Sequence, residues 1–259
     1  MPAMTGQCIR SRKAVHMGPR ASHVFHFTRN LTNLMGILEH GFYPHGCLED
    51  LSWLGGPGYN AYTFLMVCFC DIPLSRLTEH VEFYGNYGIG LSRRWALDKG
   101  LNPVLYFSPQ APLCAPLLSA MREGRRLQGN MSEIENDIFT AISYAKPLQG
   151  IKLVEGKPRR KDFLSENEWR FVARDFHMSL GQTDDMYRDP NQRRELNESG
   201  KQYVLSFSPS DIRYLFVKDD NDIPALFDFI LTNMPQTDTA ALKTLATRIT
   251  SIEHLKQDV

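Results

Sequence analysis

Three short segments of this chain place polar, chemically capable side chains inside otherwise apolar patterns. In His26-Phe27-Thr28, a two-residue period puts His26 and Thr28 on one face and Phe25 and Phe27 on the other. A lone histidine in that setting more often completes a sheet hydrogen bond than does chemistry. In Tyr84-Gly85-Asn86-Tyr87-Gly88-Ile89-Gly90, two tyrosines offer flat faces and hydroxyls beside glycines that let the backbone turn sharply or a ligand come close. The plainer reading is a helix cap, a turn and two core tyrosines. In Glu166-Asn167-Glu168-Trp169-Arg170, alternation sends Glu166, Glu168 and Arg170 to one face and Asn167 and Trp169 to the other, which is also the pattern of a charged edge strand. Together the three make a coherent set. A histidine and a tyrosine hold a ribosyl group, and a glutamate stabilises an oxocarbenium-like centre, which suits cleavage of an N-glycosidic bond.

These residues need elements to position them. His23–Thr28 alternates as a strand, and Asn30 or Thr32 caps a helix through Leu31, Leu34, Ile37 and Leu38 that stops at Gly41. Residues 43–61, rich in Gly and Pro, are expected to form a long lid-like loop. Thr63–Cys70 is an apolar, buried strand, Pro73 opens a helix through Leu77, Val81 and Tyr84, and Tyr87–Leu91 is a strand. Further strands are expected at Pro103–Phe107, Trp169–Arg174, Tyr203–Phe207 and Ile212–Val217, and helices over 112–145, Ile223–Leu231 and Ala240–Leu255. Residues 178–201 are polar and expected to be a mobile insertion. The irregular interleaving of strands and helices points to an α+β fold with a mixed sheet. The expected organisation is a flexible extension over 1–22, one domain over 23–232, and a C-terminal amphipathic helix over 233–259.

Composition narrows the classes of function. The 259 residues are 42% hydrophobic and carry 29 basic and 29 acidic side chains, so a sizeable core is available and no global charge calls for nucleic acid or membrane. Five cysteines without framework spacing, and a basic N-terminus with no apolar stretch, suit a soluble protein of a reducing cytoplasm. Cys68-x-Cys70, with His45, Cys47 and His80 near in sequence, raises zinc; the spacing lacks a CxxC, so buried thiols are the default and no metal is expected. His80 and Tyr84 share a helix face, so a metal-independent ribonuclease using His26, His80 and Glu168 is a second enzymatic reading. Lys157, Arg159, Arg160 and Lys161, with Arg122, Arg125 and Arg126, are either solvated charge or a rim for an anionic target.

The stretch HFTRNLTNLMGILEHGFYPHGCLEDLSWL, followed by VCFCDIPLSRLTEHVEFYGNYGIGLSRRWALDKGLNPVLY, resembles the AbiGi family of bacterial abortive phage-infection resistance proteins over roughly residues 23–230. That resemblance implies a role in anti-phage defence and a protein partner from a toxin–antitoxin or phage-defence operon. The order of histidine, tyrosine-glycine and glutamate also resembles, distantly, the ADP-ribosyltransferase superfamily. It implies a split mixed β-sheet with flanking helices and NAD as substrate. His26, Phe27, Thr28, Arg29, Tyr84, Tyr87 and Gly88 would then bind NAD, and Glu168 would act with Tyr84 and His26. Tyr87 competes with Tyr84, and Glu166 with Glu168. The acceptor, nucleic acid or protein, would be chosen by loops 43–61 and 108–132. The non-enzymatic alternative is an antitoxin or partner-binding module.

Overall fold

The computed structural model describes residues 22–55, 61–126, 133–154, 157–173, 187–234 and 238–257. The chain opens as expected. Strand β1 (His23–Thr28) leads to α1 (Leu31–His40), whose Asn30 cap accepts the Asn33 N–H at 2.8 Å and whose end is closed by Gly41. Then follow β2 (His45–Asp50), β3 (Ala61–Cys70), α2 (Leu77–Tyr84), β4 (Tyr87–Ser92), α3 (Arg93–Asp98), β5 (Asn102–Pro103) and β6 (Leu105–Phe107). Helices α4 (Cys114–Arg126) and α5 (Glu133–Ser143) precede β7 (Ala145–Pro147), β8 (Gln149–Val154), β9 (Lys157–Asp162) and β10 (Glu168–Val172). The remainder is α6 (Pro190–Gly200), β11 (Ile212–Val217), α7 (Ile223–Asn233), α8 (Thr239–Ala246), β12 (Ile249–Ser251) and α9 (Ile252–Gln257).

The fold is α+β. Its mixed sheet runs β12-β11-β4-β1-β3-β10-β5, with β2 paired to β3. All neighbours are antiparallel except β11 and β12. One face carries Val24, Phe69, Ile89, Leu91 and Trp169 and is covered by α1, α3, α7 and α8. The other face is covered in two separate parts. Phe25, Phe27, Cys70 and Phe216 pack under α2 and α9, whereas Tyr62, Phe64, Met66 and Val172 pack under α4 and α5. Cys68, Glu168 and Arg170 stand in the gap between those covers. Among the described residues, no helix is long and apolar enough to cross a membrane.

Several expectations are corrected. Residues 45–50 are a strand, not part of a loop, because the largely apolar β3 gains a hydrogen-bonded edge from them through six register pairs, His45↔Met66 to Asp50↔Ala61. Gly46 serves packing, since a Cβ there would meet the Leu196 side chain of α6 at 2.4 Å. Pro103–Phe107 is divided, the first part pairing with β10 and the second lying parallel to β7. Of Tyr203–Phe207 only Leu205 pairs, in a bridge to Phe42. Part of the expected insertion, 190–200, is a helix capped by Asp189 with Pro190 in its first turn, packed on β3 through Leu196; residues 178–186 lie outside the described residues, as do 1–21. The helix expected over Ala240–Leu255 breaks, and β12 joins the sheet beside β11.

Gly85 sets where the first and second functional segments meet. Its φ of +112° is a glycine conformation, and a Cβ would lie 2.2 Å from the Thr28 carbonyl oxygen. Replacing Gly85 with Ala is expected to destabilise the protein by roughly 1–3 kcal/mol or more, measured by urea unfolding; a change within a few tenths of a kcal/mol would contradict the packing described.

Candidate functional site

Strand β10 is interior, flanked by β3 and β5, so its charges cannot be solvated as those of an edge strand would be. Arg170 is 0% exposed and Glu168 only 5%. They neutralise each other instead. Glu168 Oε1 accepts from Arg170 Nε at 2.6 Å, and Glu168 Oε2 pairs with Lys146 Nζ of β7. Arg170 also donates to the Ser143 carbonyl at 2.5 Å and to Glu49 Oε2 of β2 at 2.9 Å. Glu49 stands opposite Tyr62, whereas Arg170 stands opposite Cys68, well further along β3. Their contact therefore requires the β2–β3 hairpin to curl over the sheet. Burial works to raise the Glu168 carboxyl, but Arg170 and Lys146 outweigh it and hold it well below the usual range. The Lys146 ammonium, which burial works to lower, is held above its usual range by Glu168 and Glu49.

Asn167 turns the chain so that a second glutamate reaches the same place. It adopts a left-handed conformation (φ 44°, ψ 57°), which Asn tolerates better than most residues, and exchanges hydrogen bonds with the Asp71 backbone at 3.1 Å. The expected strand alternation is thus replaced by a turn that converges Glu166 and Glu168 on Lys146, with Glu166 at 3.6 Å. Glu166 Oε1 accepts the Tyr84 hydroxyl at 2.5 Å and lies 3.5 Å from Lys161 Nζ. Lys161, read above as surface charge, is 7% exposed and sits over the Phe83 ring at 3.9 Å.

Beside this cluster lies a cavity of about 330 Å³. His26, Phe27, Tyr84, His80 and both glutamates line it, together with Cys47 and Cys68. Lys152 of β8 also lines it, 3.7 Å above the Tyr84 ring, and has no carboxylate partner among the described residues; burial lowers its ammonium. Tyr84 stacks on His80 with centroids 4.4 Å apart, so both its faces are occupied. Burial, helped by Lys161, pushes His80 down to about 3, leaving it neutral and a weak base near neutral pH. Contact with Cys47 and burial push the Cys68 thiol well up, and burial does the same to Cys70. These thiols are therefore protonated, as core cysteines are. Among the described residues, no group of three His, Cys, Asp or Glu side chains could hold a metal ion.

The residues singled out in the sequence are only partly brought together. His26 faces the side of Phe42 and Phe69, opposite Phe25 and Phe27, as alternation requires. It still reaches the cavity because β1 and β3 share one register pair, Phe25↔Cys70; beyond it the His26 Nδ1–H donates to the Cys68 carbonyl at 2.9 Å. Burial lowers its imidazole. Thr28, Arg29, Tyr87 and Gly88 do not line the cavity. Thr28 Oγ1 accepts from Asn33, and the Tyr87 hydroxyl donates to Asp222 Oδ2 at 2.9 Å. A Cβ on Gly88 would meet the Phe27 ring at 2.6 Å, so that glycine admits an aromatic side chain of the core and not a ligand. Sequence reasoning missed Lys146, Lys152 and Glu49. Hydrophobic period points the wrong way at Lys152, since it would bury Ile151 and expose the lysine, whereas Ile151 is exposed and Lys152 lines the cavity.

The chain matches, over residues 42–218, the family model described as "Putative abortive phage resistance protein AbiGi, antitoxin". The chain belongs to the AbiGi family. It is similar to the abortive phage resistance protein AbiGi of Lactococcus lactis subsp. cremoris, 29% identical over 190 residues that cover 64% of this chain and 76% of that protein. No solved structure matches. The AbiGi match spans β2 to β11 and so includes Tyr84, Lys146, Lys152, Glu166, Glu168 and Arg170, whereas His26 precedes it.

Two outcomes follow from the burial of these charges. Arg170→Met strands Glu168 and Glu49 and is expected to cost roughly 3–5 kcal/mol in urea unfolding, while Lys152→Met, which removes a half-buried cation without a carboxylate partner among the described residues, leaves stability unchanged or raises it. Equal losses at both positions would count against the assignment. His80 has a lowered folded-state pKa, so its contribution is complete above its unfolded value of about 6.5 and is lost as pH falls from there towards about 3. His80→Phe is therefore expected to reduce the fall in stability across that window, by up to about 1.4 kcal/mol per pH unit, in unfolding curves recorded against pH.

Proposed function

We propose that this AbiGi protein serves abortive phage resistance as a partner-binding module of antitoxin type, and that its cavity recognises a ligand without transforming it. The observation that carries the reading is the state of Glu168. Both its carboxylate oxygens are engaged by buried cations of the same chain, Arg170 and Lys146, with neither oxygen reserved for a substrate. A catalytic carboxylate that must orient a nucleophile or meet a developing positive charge needs an oxygen directed at the reacting atoms. The family description, which names an antitoxin, supports the same side. The partner expected is a toxin or effector protein of the same defence system.

A second reading keeps NAD-dependent ADP-ribosyl transfer to a nucleic-acid or protein acceptor. One observation favours it: a single cavity is lined by His26, Tyr84, Glu166 and Glu168, the residue types and order of the ADP-ribosyltransferase resemblance. Lys152 would suit the pyrophosphate of such a substrate. A ribonuclease is less well served, because His80 stays neutral.

The two readings separate in one pair of measurements. The protein is co-expressed with the product of each adjacent defence gene and examined for a stoichiometric complex and for relief of growth arrest. It is also incubated with labelled NAD and cell fractions beside Glu168→Gln. We expect a complex that relieves arrest and no nicotinamide release. Release of nicotinamide or transfer of label by the wild type, abolished in Glu168→Gln, would establish the enzyme instead.

A further inference from the structure

A second cavity, of about 260 Å³, opens on the far end of the sheet, against β11 and β12. It is lined by Arg213 and Arg248 together with Thr250, Phe216, Leu74 and Leu255. Both arginines are put there by the backbone. The β11–β4 register shifts between Ile212 and Tyr214, so Arg213 is the extra residue of a β-bulge, a feature that re-aims a side chain. Arg248 sits between α8 and β12, its N–H bonded to the Leu245 carbonyl at 3.0 Å and its carbonyl accepting from Leu215 at 2.9 Å.

The side chains are held as well. Arg213 donates through one terminal nitrogen to the Ser210 carbonyl at 2.6 Å, and Arg248 through one to the carbonyls of Pro209 and Ile212. The remaining guanidinium N–H groups of both have no acceptor among the described residues, and neither arginine has a carboxylate partner there. Two fixed cations thus share one cavity with no anion between them. Burial and the neighbouring Arg213 both lower Arg248, which is the repulsion such an arrangement must bear. A surface that merely needed solubility has no reason to anchor two like charges to the same loop. A planar fork with free donors is the usual recogniser of phosphate and related oxyanions, and the Thr250 hydroxyl adds a donor at the same wall.

We propose that Arg213 and Arg248 form a binding site for a phosphate monoester, separate from the cavity at Glu168, with the apolar wall of Leu74, Phe216 and Leu255 receiving the organic part of the ligand. This site does not depend on either functional reading above.

The test is calorimetric titration of the full chain with inorganic phosphate and with a nucleoside 5′-monophosphate, at fixed ionic strength in chloride buffer. Saturable binding of one equivalent is expected, weakened about tenfold or more in Arg213→Gln, as for loss of one charge-assisted hydrogen bond, and unchanged in Lys201→Gln, which removes an exposed cation that lines neither cavity. Arg248→Gln should weaken it similarly; its thermal melt is recorded alongside, because Arg248 also bonds the 209–212 loop, and Arg213→Gln carries the test if that variant unfolds. Tighter binding of the nucleotide than of inorganic phosphate is expected from the apolar wall, and equal binding of the two overturns the role given to that wall. No saturable binding, or binding lost in Lys152→Gln and kept in Arg213→Gln, overturns the proposal.

Discussion

Much of the polar side of this protein depends on one buried ion pair, Glu168 with Arg170. Taking both charges out of water costs several kcal/mol each, and their mutual attraction offsets this only if every remaining donor and acceptor is met. That requirement reaches outward. Arg170 needs Glu49, which curls the β2–β3 hairpin over the sheet, and the Ser143 carbonyl, which fixes the end of α5. Glu168 needs Lys146, which anchors β7 beside β10, and its backbone N–H needs the Tyr106 hydroxyl of β6 at 2.8 Å. Four elements distant in sequence are thus positioned by two residues of one strand.

The cavity is a consequence of the same constraint. On the face where α2 and α9 end and α4 and α5 begin, apolar cover would bury Glu168 and Arg170 without room for their partners. Their partners come in from β7 and β2, and the lysines of β7 and β8 bring long aliphatic stems that line the space. The thiols of Cys68 and Cys70 complete that wall because they are small, tolerate burial and make few demands for hydrogen bonds.

Where local pattern and burial agree, the sequence is easily read. Asn30, the apolar run to Leu38 and Gly41 together specify α1, and the uninterrupted apolar residues before Cys70 specify β3. The misreadings share a cause. His45-Gly46-Cys47 looks like loop because its glycine answers to Leu196, 150 residues later, and Tyr203–Phe207 looks like strand because its apolar residues pack although only Leu205 pairs. At the site, Tyr84 and Glu168 stand out by type and context, and the structure puts them on one cavity. Lys146 and Glu49 were illegible, since a lysine or glutamate in a polar stretch carries no mark of the buried partner that folding brings to it. Lys161 was misread for the same reason.

Net charge is a poor guide to such a molecule. The 29 basic and 29 acidic side chains cancel over the chain, yet not locally. Around the first cavity Lys146, Lys152, Lys161 and Arg170 face Glu49, Glu166 and Glu168, four charges against three, and the excess is Lys152, aimed into the space. In the second, two arginines have no acid opposite them among the described residues. Unlike a strip of exposed lysines, whose field is screened within about 10 Å at ordinary salt, these cations are partly buried and fixed by contacts. A partly buried cation without a carboxylate beside it costs desolvation that no attraction offsets, and a bound anion from outside the chain is what would supply the missing charge.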